Sequence, residues 1–329
     1  MPTVLFGSEP IRRKSGSFRT LLEASGFRIV EPASDSRLFE PDLLELLPQC
    51  DAIIAGGEAI SAKVLDACPN LRAIARTGVG YDAIDLEAAS RHKVAVTITP
   101  GTNQDAVAEH TFAMLLALTK DVVGHDQAIR AGKWVRTPLP RPIRGKTMGI
   151  VGLGRIGRAV ATRAIAFGMK VLAFEPVSDV EAFTTKHGIE RVEFDDLLAK
   201  SDVISLHLPF LAATKGLFDR AVFARMKPGS LFLNTARGGL VVEPDLLEAL
   251  RSGHLAGAGL DVFDPEPPKS DNPLWALPNV VLTPHVAGTD ELSMADMAEL
   301  AARCVVDLHE GRWPAECVVN PEVAPGWSW

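Results

Sequence analysis

Thr147-Met148-Gly149-Ile150-Val151 leads without a break into Gly152-Leu153-Gly154-Arg155-Ile156-Gly157, and a helical pattern follows from Arg158. An apolar strand, a glycine-rich turn and a helix start, in that order, are the fingerprint of a dinucleotide site in a parallel α/β sheet. Gly152 permits the tight turn, Gly154 lets backbone approach a pyrophosphate, and Gly157 lets helix and strand pack closely. Arg155 and Ile156 lie inside the motif, where the helix N-terminus offers unpaired N–H groups and its positive dipole end to the anion. Glu175 ends the next strand candidate, at 170–174. Its carboxylate would take hydrogen bonds from both hydroxyls of an adenosine ribose and repel a 2′-phosphate. Pro176 stands where an NADP reader wants a cation, so the cofactor expected is NAD. Glycines that merely serve turns would not bring strand, spacing and acid together.

Outward from this motif the chain alternates short β-branched runs with helical stretches, the pattern of parallel sheets covered by helices on both faces. Strand candidates at 3–7, 28–30, 51–55, 71–75 and 94–97 make a first α/β unit. Thr99-Pro100-Gly101 breaks the pattern. A long helical stretch over 103–120 follows, continuing past an interruption at Gly124 to 132. Six further strand candidates, at 147–151, 170–174, 202–206, 230–235, 257–262 and 280–283, make a second unit. The last helical stretch, 293–309, has no strand after it and is expected to cross back to the first unit. The fold class expected is α/β, two Rossmann/flavodoxin-like doubly wound parallel-sheet domains with the active site in the cleft between them. Residues 1–100 plus 290–329 would form a discontinuous substrate domain, and 101–289 the NAD-binding domain.

Composition narrows the function classes. With 47% apolar and 23% charged residues, the 329-residue chain reads as an ordinary soluble protein. A net charge of −7 argues against a nucleic-acid partner. No apolar run approaches the ~20 residues that span a bilayer, and the N-terminus shows no leader segment, so a cytoplasmic location without a membrane partner is expected. Cys50, Cys68, Cys304 and Cys317 show no paired spacing and read as reduced, buried thiols. The histidines lack metal-ligand spacing, so no metal is expected.

Three later segments carry chemistry: Asn234-Thr235-Ala236-Arg237-Gly238-Gly239, residues 261–267 (Asp-Val-Phe-Asp-Pro-Glu-Pro) and residues 283–288 (Thr-Pro-His-Val-Ala-Gly). Together with the glycine motif and Val79-Gly80-Tyr81-Asp82, they resemble the signature blocks of the D-isomer specific 2-hydroxyacid dehydrogenases, in the family order, from about Leu71 to Gly288. The resemblance implies that His285 is the acid/base. Moving a hydride to a 2-oxo acid leaves an alkoxide that needs a proton, and a histidine serves either direction. Glu266 would hold the other ring nitrogen and favour the protonated imidazole, and Arg237 would grip the substrate carboxylate with its planar fork. Taken singly, each has a plainer reading: structural histidine, surface ion-pair arginine, solvated glutamate.

The same blocks imply that Asp261 binds the nicotinamide carboxamide and that His207, Pro209, Thr214, Thr235, Ala236 and Gly288 line the cofactor. A packing role for His207 is an equal alternative. The amides of Val79 and Gly80 would form an anion nest for the substrate carboxylate. Asn103, with Gln104, matches a position facing substrate, though a helix cap reads as well. The long helix from Asn103 and the loop around 134–141, Trp134 to Arg141, resemble the family's dimer-forming segment, so a homodimer is expected.

The run Ala75-Arg76-Thr77-Gly78-Val79-Gly80 is most similar to the D-3-phosphoglycerate dehydrogenase branch, which implies that Arg76 helps bind substrate phosphate. That branch carries further cations after the third strand, where this chain reads Gly56-Gly57-Glu58, and Glu58 would repel phosphate if it faced the pocket. No C-terminal regulatory domain is expected. 3-Phosphoglycerate leads as substrate, with glyoxylate and hydroxypyruvate second. Formate is disfavoured, because its oxidation needs no proton transfer and glutamine replaces Glu266 there. An NAD-sensing corepressor on the same fold is the non-enzyme alternative.

Overall fold

A computed structural model describes all 329 residues and divides the chain into two units, Met1–Asn103 with Thr289–Trp329, and Gln104–Gly288. The first unit is built on five parallel strands, β1 Thr3–Phe6, β2 Arg28–Val30, β3 Ala52–Ala55, β4 Ala73–Arg76 and β5 Ala95–Thr97, in the order β2-β1-β3-β4-β5. Apart from the edge strand β2, its strands are buried almost throughout, which is why they read as continuous apolar runs. One face packs against the helix Glu291–His309. Met294, Met297, Ala298, Ala301, Ala302 and Val305 of that helix share a core with Val4, Phe6, Ala52, Ala73 and Ala95. Small residues at the contact let helix and sheet approach closely.

The second unit holds seven parallel strands: β6 Thr147–Val151, β7 Lys170–Phe174, β8 Glu190–Arg191, β9 Val203–Leu206, β10 Leu231–Asn234, β11 Gly257–Leu260 and β12 Val280–Leu282. Their order is β12-β11-β10-β9-β6-β7-β8. Strand order reverses between β6 and β9, the switch point outside which open α/β sheets bind ligands. The glycine turn after β6 and the segment beginning at His207 after β9 both lie there. β8 escaped the sequence reading because it is two exposed, charged residues on the sheet edge, with no alternation to detect.

The long helical stretch divides differently from expectation. Helices run Gln104–Lys120 and Val122–Arg130, broken at Asp121, which takes the left-handed φ of 49°. Gly124 lies inside the second helix, where a Cβ would stand 2.5 Å from Asp121 Oδ1. The glycine therefore makes room for the side chain that turns the chain. No helix is long and apolar enough to cross a membrane, and all four cysteines are free and buried.

Candidate active site

The turn after β6 has the geometry of an anion cradle. Gly152 sits at φ 96°, and a Cβ on Gly157 would come 2.1 Å from the Gly152 carbonyl oxygen, so neither position tolerates a side chain without moving backbone. The helix Arg155–Ala166 starts at Gly154 without a side-chain cap. The amides of Arg155 and Ile156 find no acceptor in the protein, and nothing lies within 4 Å of a Cβ built on Gly154. Uncapped first-turn amides beside open space suit the pyrophosphate of NAD.

Glu175, just past β7, accepts the Leu153 amide at 2.8 Å on Oε2 and the Val177 and Ser178 amides, each at 3.0 Å, on Oε1. Burial opposes its charge, but these three donors and nearby Arg158 outweigh that and hold its pKa below the ordinary glutamate value. The carboxylate thus organises the glycine turn and keeps its negative charge.

After β10, the Asn234 side chain ties the next turn. Its Oδ1 accepts the Ala236 amide at 3.0 Å and its Nδ2 donates to the Arg237 carbonyl at 2.8 Å. A Cβ on Gly238 would stand 2.1 Å from the carbonyl carbon of Phe263. This backbone contact brings the loop of Arg237 against the loop of Glu266. Sequence reasoning assigned neither Asn234 nor Gly238 a role; a glycine and an asparagine flanking an arginine at a strand end were the available signal.

Glu266 and His285 meet directly, with His285 Nδ1 2.7 Å from Glu266 Oε2, while Glu266 Oε1 accepts the Phe263 amide at 3.0 Å. Burial would raise the Glu266 pKa. The hydrogen bond and charge of His285, the Phe263 amide and the Arg237 guanidinium together hold it below the usual value. A carboxylate can only accept, so the ring nitrogen facing it carries the proton and Nε2 remains for a ligand. Arg237 Nη1 donates to the Ala236 carbonyl at 2.7 Å, fixing the side chain along its own turn.

His285 lies at φ 56°, an uncommon conformation for a residue with a Cβ. The fully buried Asp261 overdetermines it. Its Oδ1 accepts Thr283 Oγ1 at 2.6 Å and the Val286 amide at 2.9 Å, and its Oδ2 accepts the Ala287 amide at 2.9 Å. With the Thr283 hydroxyl proton given to Asp261, His110 Nε2, from the helix Gln104–Lys120, donates to Thr283 Oγ1 across 2.9 Å and backs the same loop. Asp261 was expected to face nicotinamide; what its oxygens hold here is the turn that presents His285.

Other expected cofactor positions organise their own loops. His207 Nε2 lies 2.9 Å from Ser205 Oγ, its Nδ1 is enclosed without a partner, and burial pushes its pKa down to about 3, so the ring stays neutral. Thr214 Oγ1 donates to the Pro209 carbonyl at 2.8 Å, and Thr235 Oγ1 meets Thr111 Oγ1 at 3.1 Å. Ala236 is held through the Asn234 turn. Gly288 closes the second unit.

In the first unit, the half-buried amides of Val79 and Gly80 have no acceptor in the protein, as an anion nest requires. Arg76, at the end of β4, donates from Nε to the Gly80 carbonyl at 2.9 Å, and Asn103 is buried. Glu58 does not face outward. It is 1% exposed, accepts the Gly56 amide at 2.5 Å and lies 3.8 Å from the buried guanidinium of Arg12, so its feared repulsion of substrate phosphate does not arise.

Comparison with known proteins gives one consistent answer. The family model described as "D-isomer specific 2-hydroxyacid dehydrogenase, NAD binding domain" matches residues 112–287. The D-3-phosphoglycerate dehydrogenase of Archaeoglobus fulgidus is 39% identical over 286 residues, 86% of this chain and 54% of that protein. The glyoxylate reductase of Korarchaeum cryptofilum is 39% identical over 287 residues, 85% of this chain and 86% of that one. The chain thus spans about half the length of the phosphoglycerate dehydrogenases that it matches. The D-lactate dehydrogenase of Aquifex aeolicus, solved with NAD and lactic acid, superposes with a TM-score of 0.84 at 27% identity, covering 97% of this chain and 99% of that one.

Proposed function

Because the chain belongs to the D-isomer specific 2-hydroxyacid dehydrogenases and carries their NAD binding domain, we propose that it interconverts a D-2-hydroxy acid and its 2-oxo acid. Bound NAD supplies the hydride acceptor for C2, and NADH the donor in reverse. In oxidation, His285 Nε2 takes the hydroxyl proton as C2 loses its hydride, and a carbonyl forms. In reduction, the same nitrogen returns the proton to the oxygen. Glu266 keeps the ring in the required tautomer, and Arg237 orients the substrate carboxylate and polarises the carbonyl. Arg76, Asn103 and the Val79 and Gly80 amides complete substrate binding. Gly152, Gly154, Arg155, Ile156, Gly157 and Glu175 hold the dinucleotide, with His207, Pro209, Thr214, Thr235, Ala236, Asp261 and Gly288 along it.

The observation that carries this reading is the 2.7 Å contact between His285 Nδ1 and a glutamate that stays ionised. 3-Phosphoglycerate leads as substrate, supported by Arg76 and by the named relatives. Glyoxylate or hydroxypyruvate is the second reading, favoured by equal identity, 39%, to a glyoxylate reductase. The test is NADH absorbance with phosphohydroxypyruvate, hydroxypyruvate and glyoxylate. Oxidation of NADH with at least one is expected; NADH binding without turnover of any overturns the enzyme reading in favour of a cofactor-sensing protein.

The chain is further proposed to act as a cytoplasmic homodimer. Free buried thiols suit a reducing compartment. Val122, Val123, Ile129, Trp134 and Leu139 leave a run of exposed apolar side chains for a second copy to cover. Light scattering giving a monomer would remove the dimer.

A further inference from the structure

We propose that Arg37 is a specificity residue that recognises a second anionic group on the substrate, so that the preferred 2-oxo acid carries a phosphate or carboxylate beyond C3. This rests on the dehydrogenase reading above and deepens it. Arg37 follows β2 by seven residues and is remote in sequence from the other substrate candidates. Its position is fixed by Arg12. That buried guanidinium donates from Nε to the Phe6 carbonyl at 3.2 Å, from Nη2 to the Gly7 carbonyl, and from Nη1 to the carbonyls of Ser34 at 3.2 Å and Ser36 at 2.6 Å. Glu58 balances the Arg12 charge from the turn after β3. One buried arginine therefore ties the end of β1 to the segment that carries Arg37, and its carboxylate partner belongs to the β3 turn.

The result places Arg37 on that turn. Its Nη2 donates to the Gly57 carbonyl, and its guanidinium carbon stands 3.5 Å from where a Gly57 Cβ would be. Its Nε is enclosed with no acceptor, and no carboxylate lies within 4 Å of the guanidinium. Two neighbouring charges at this sheet edge are already engaged, since Glu58 is taken by Arg12 and Arg76 is anchored on Gly80. Gly57 is two residues past Ala55, which pairs with Arg76 across β3 and β4. Arg37 and Arg76 thus share the carboxyl edge of one parallel sheet, where such folds take their ligands. A half-buried guanidinium without a counter-ion, fixed there through backbone carbonyls, is a receptor for an anion.

The test compares wild type and Arg37→Gln with NADH and three substrates: phosphohydroxypyruvate, oxaloacetate as the carboxylate counterpart, and hydroxypyruvate with neither group. The expected result is a fall of about tenfold or more in the kcat/KM of phosphohydroxypyruvate or oxaloacetate relative to hydroxypyruvate, with Arg37→Lys restoring part of it. Whichever anionic substrate loses more identifies the group recognised. An unchanged ratio overturns the proposal while leaving the dehydrogenase reading intact. If wild type turns over none of the three, the dehydrogenase reading fails instead. Calorimetry with 3-phosphoglycerate against glycerate then decides for Arg37: an advantage for the phosphorylated ligand that Arg37→Gln removes supports it, and no such advantage ends it. Thermal melting confirms that the variants fold.

Discussion

The amide of His285 donates to the carbonyl oxygen of Asp261 over 2.7 Å while His285 holds a left-handed backbone. The Asp261 carboxylate closes the same turn from its other end through Val286 and Ala287. Asp261→Asn places an amide nitrogen where one of those backbone donors needs an acceptor, inside a fully buried site. Stability should fall by about 1–3 kcal/mol, and kcat should fall with it as the His285 turn loosens. Denaturant titration and saturating kinetics check this; a variant as stable and as active as wild type would refute the claim that Asp261 shapes the turn.

His285→Ala should lower kcat by about 10²–10⁴-fold. The affinity for NADH, read by fluorescence titration, should change little, because the pyrophosphate cradle lies elsewhere in the same unit. A comparable loss in binding and rate would mean that the ring supports cofactor rather than moving a proton.

Glu266 sets a pH signature. Its folded pKa lies below the unfolded one, so the stability it contributes is complete above the ordinary glutamate range and is lost as pH falls through the depressed value. The melting-temperature gap between wild type and Glu266→Gln should therefore be widest near neutrality and narrow on acidification. A gap that stays constant across that range contradicts the charge-based account.

Glu175→Gln removes the charge proposed to exclude a 2′-phosphate and swaps an acceptor for a donor beside Leu153, Val177 or Ser178. NAD should bind more weakly, the preference against NADP should shrink, and melting should occur earlier. Unchanged cofactor preference would remove Glu175 from the ribose contact.

Much of this was readable in one dimension. Strand, glycine spacing and acid fall within the 29 residues from Thr147 to Glu175, and a local grammar of that kind survives without coordinates. The pairing of Glu266 with His285 followed from the resemblance of residues 261–267 and 283–288 to the family's signature blocks. What the sequence could not display were contacts closed by the fold itself. Glu58 looked like an exposed obstacle because its neutralising partner, Arg12, is 46 residues away. Gly238 looks like an ordinary turn residue until Phe263 is packed against it, and Asn234 until its side chain is seen to tie Ala236 and Arg237. β8 carries no apolar pattern, since an edge strand of two charged residues needs none.

The helix Glu291–His309 completes the core of the first unit, and this has a bearing on how the protein is made. As the polypeptide emerges during translation, residues 104–288 can fold while the earlier sheet still lacks Met294, Met297 and Val305 to cover Val4, Ala52 and Ala73. Maturation then runs against the usual amino-to-carboxyl order: the half synthesised first is finished last. Until that helix has emerged, the bare apolar face is the natural target for a holding chaperone.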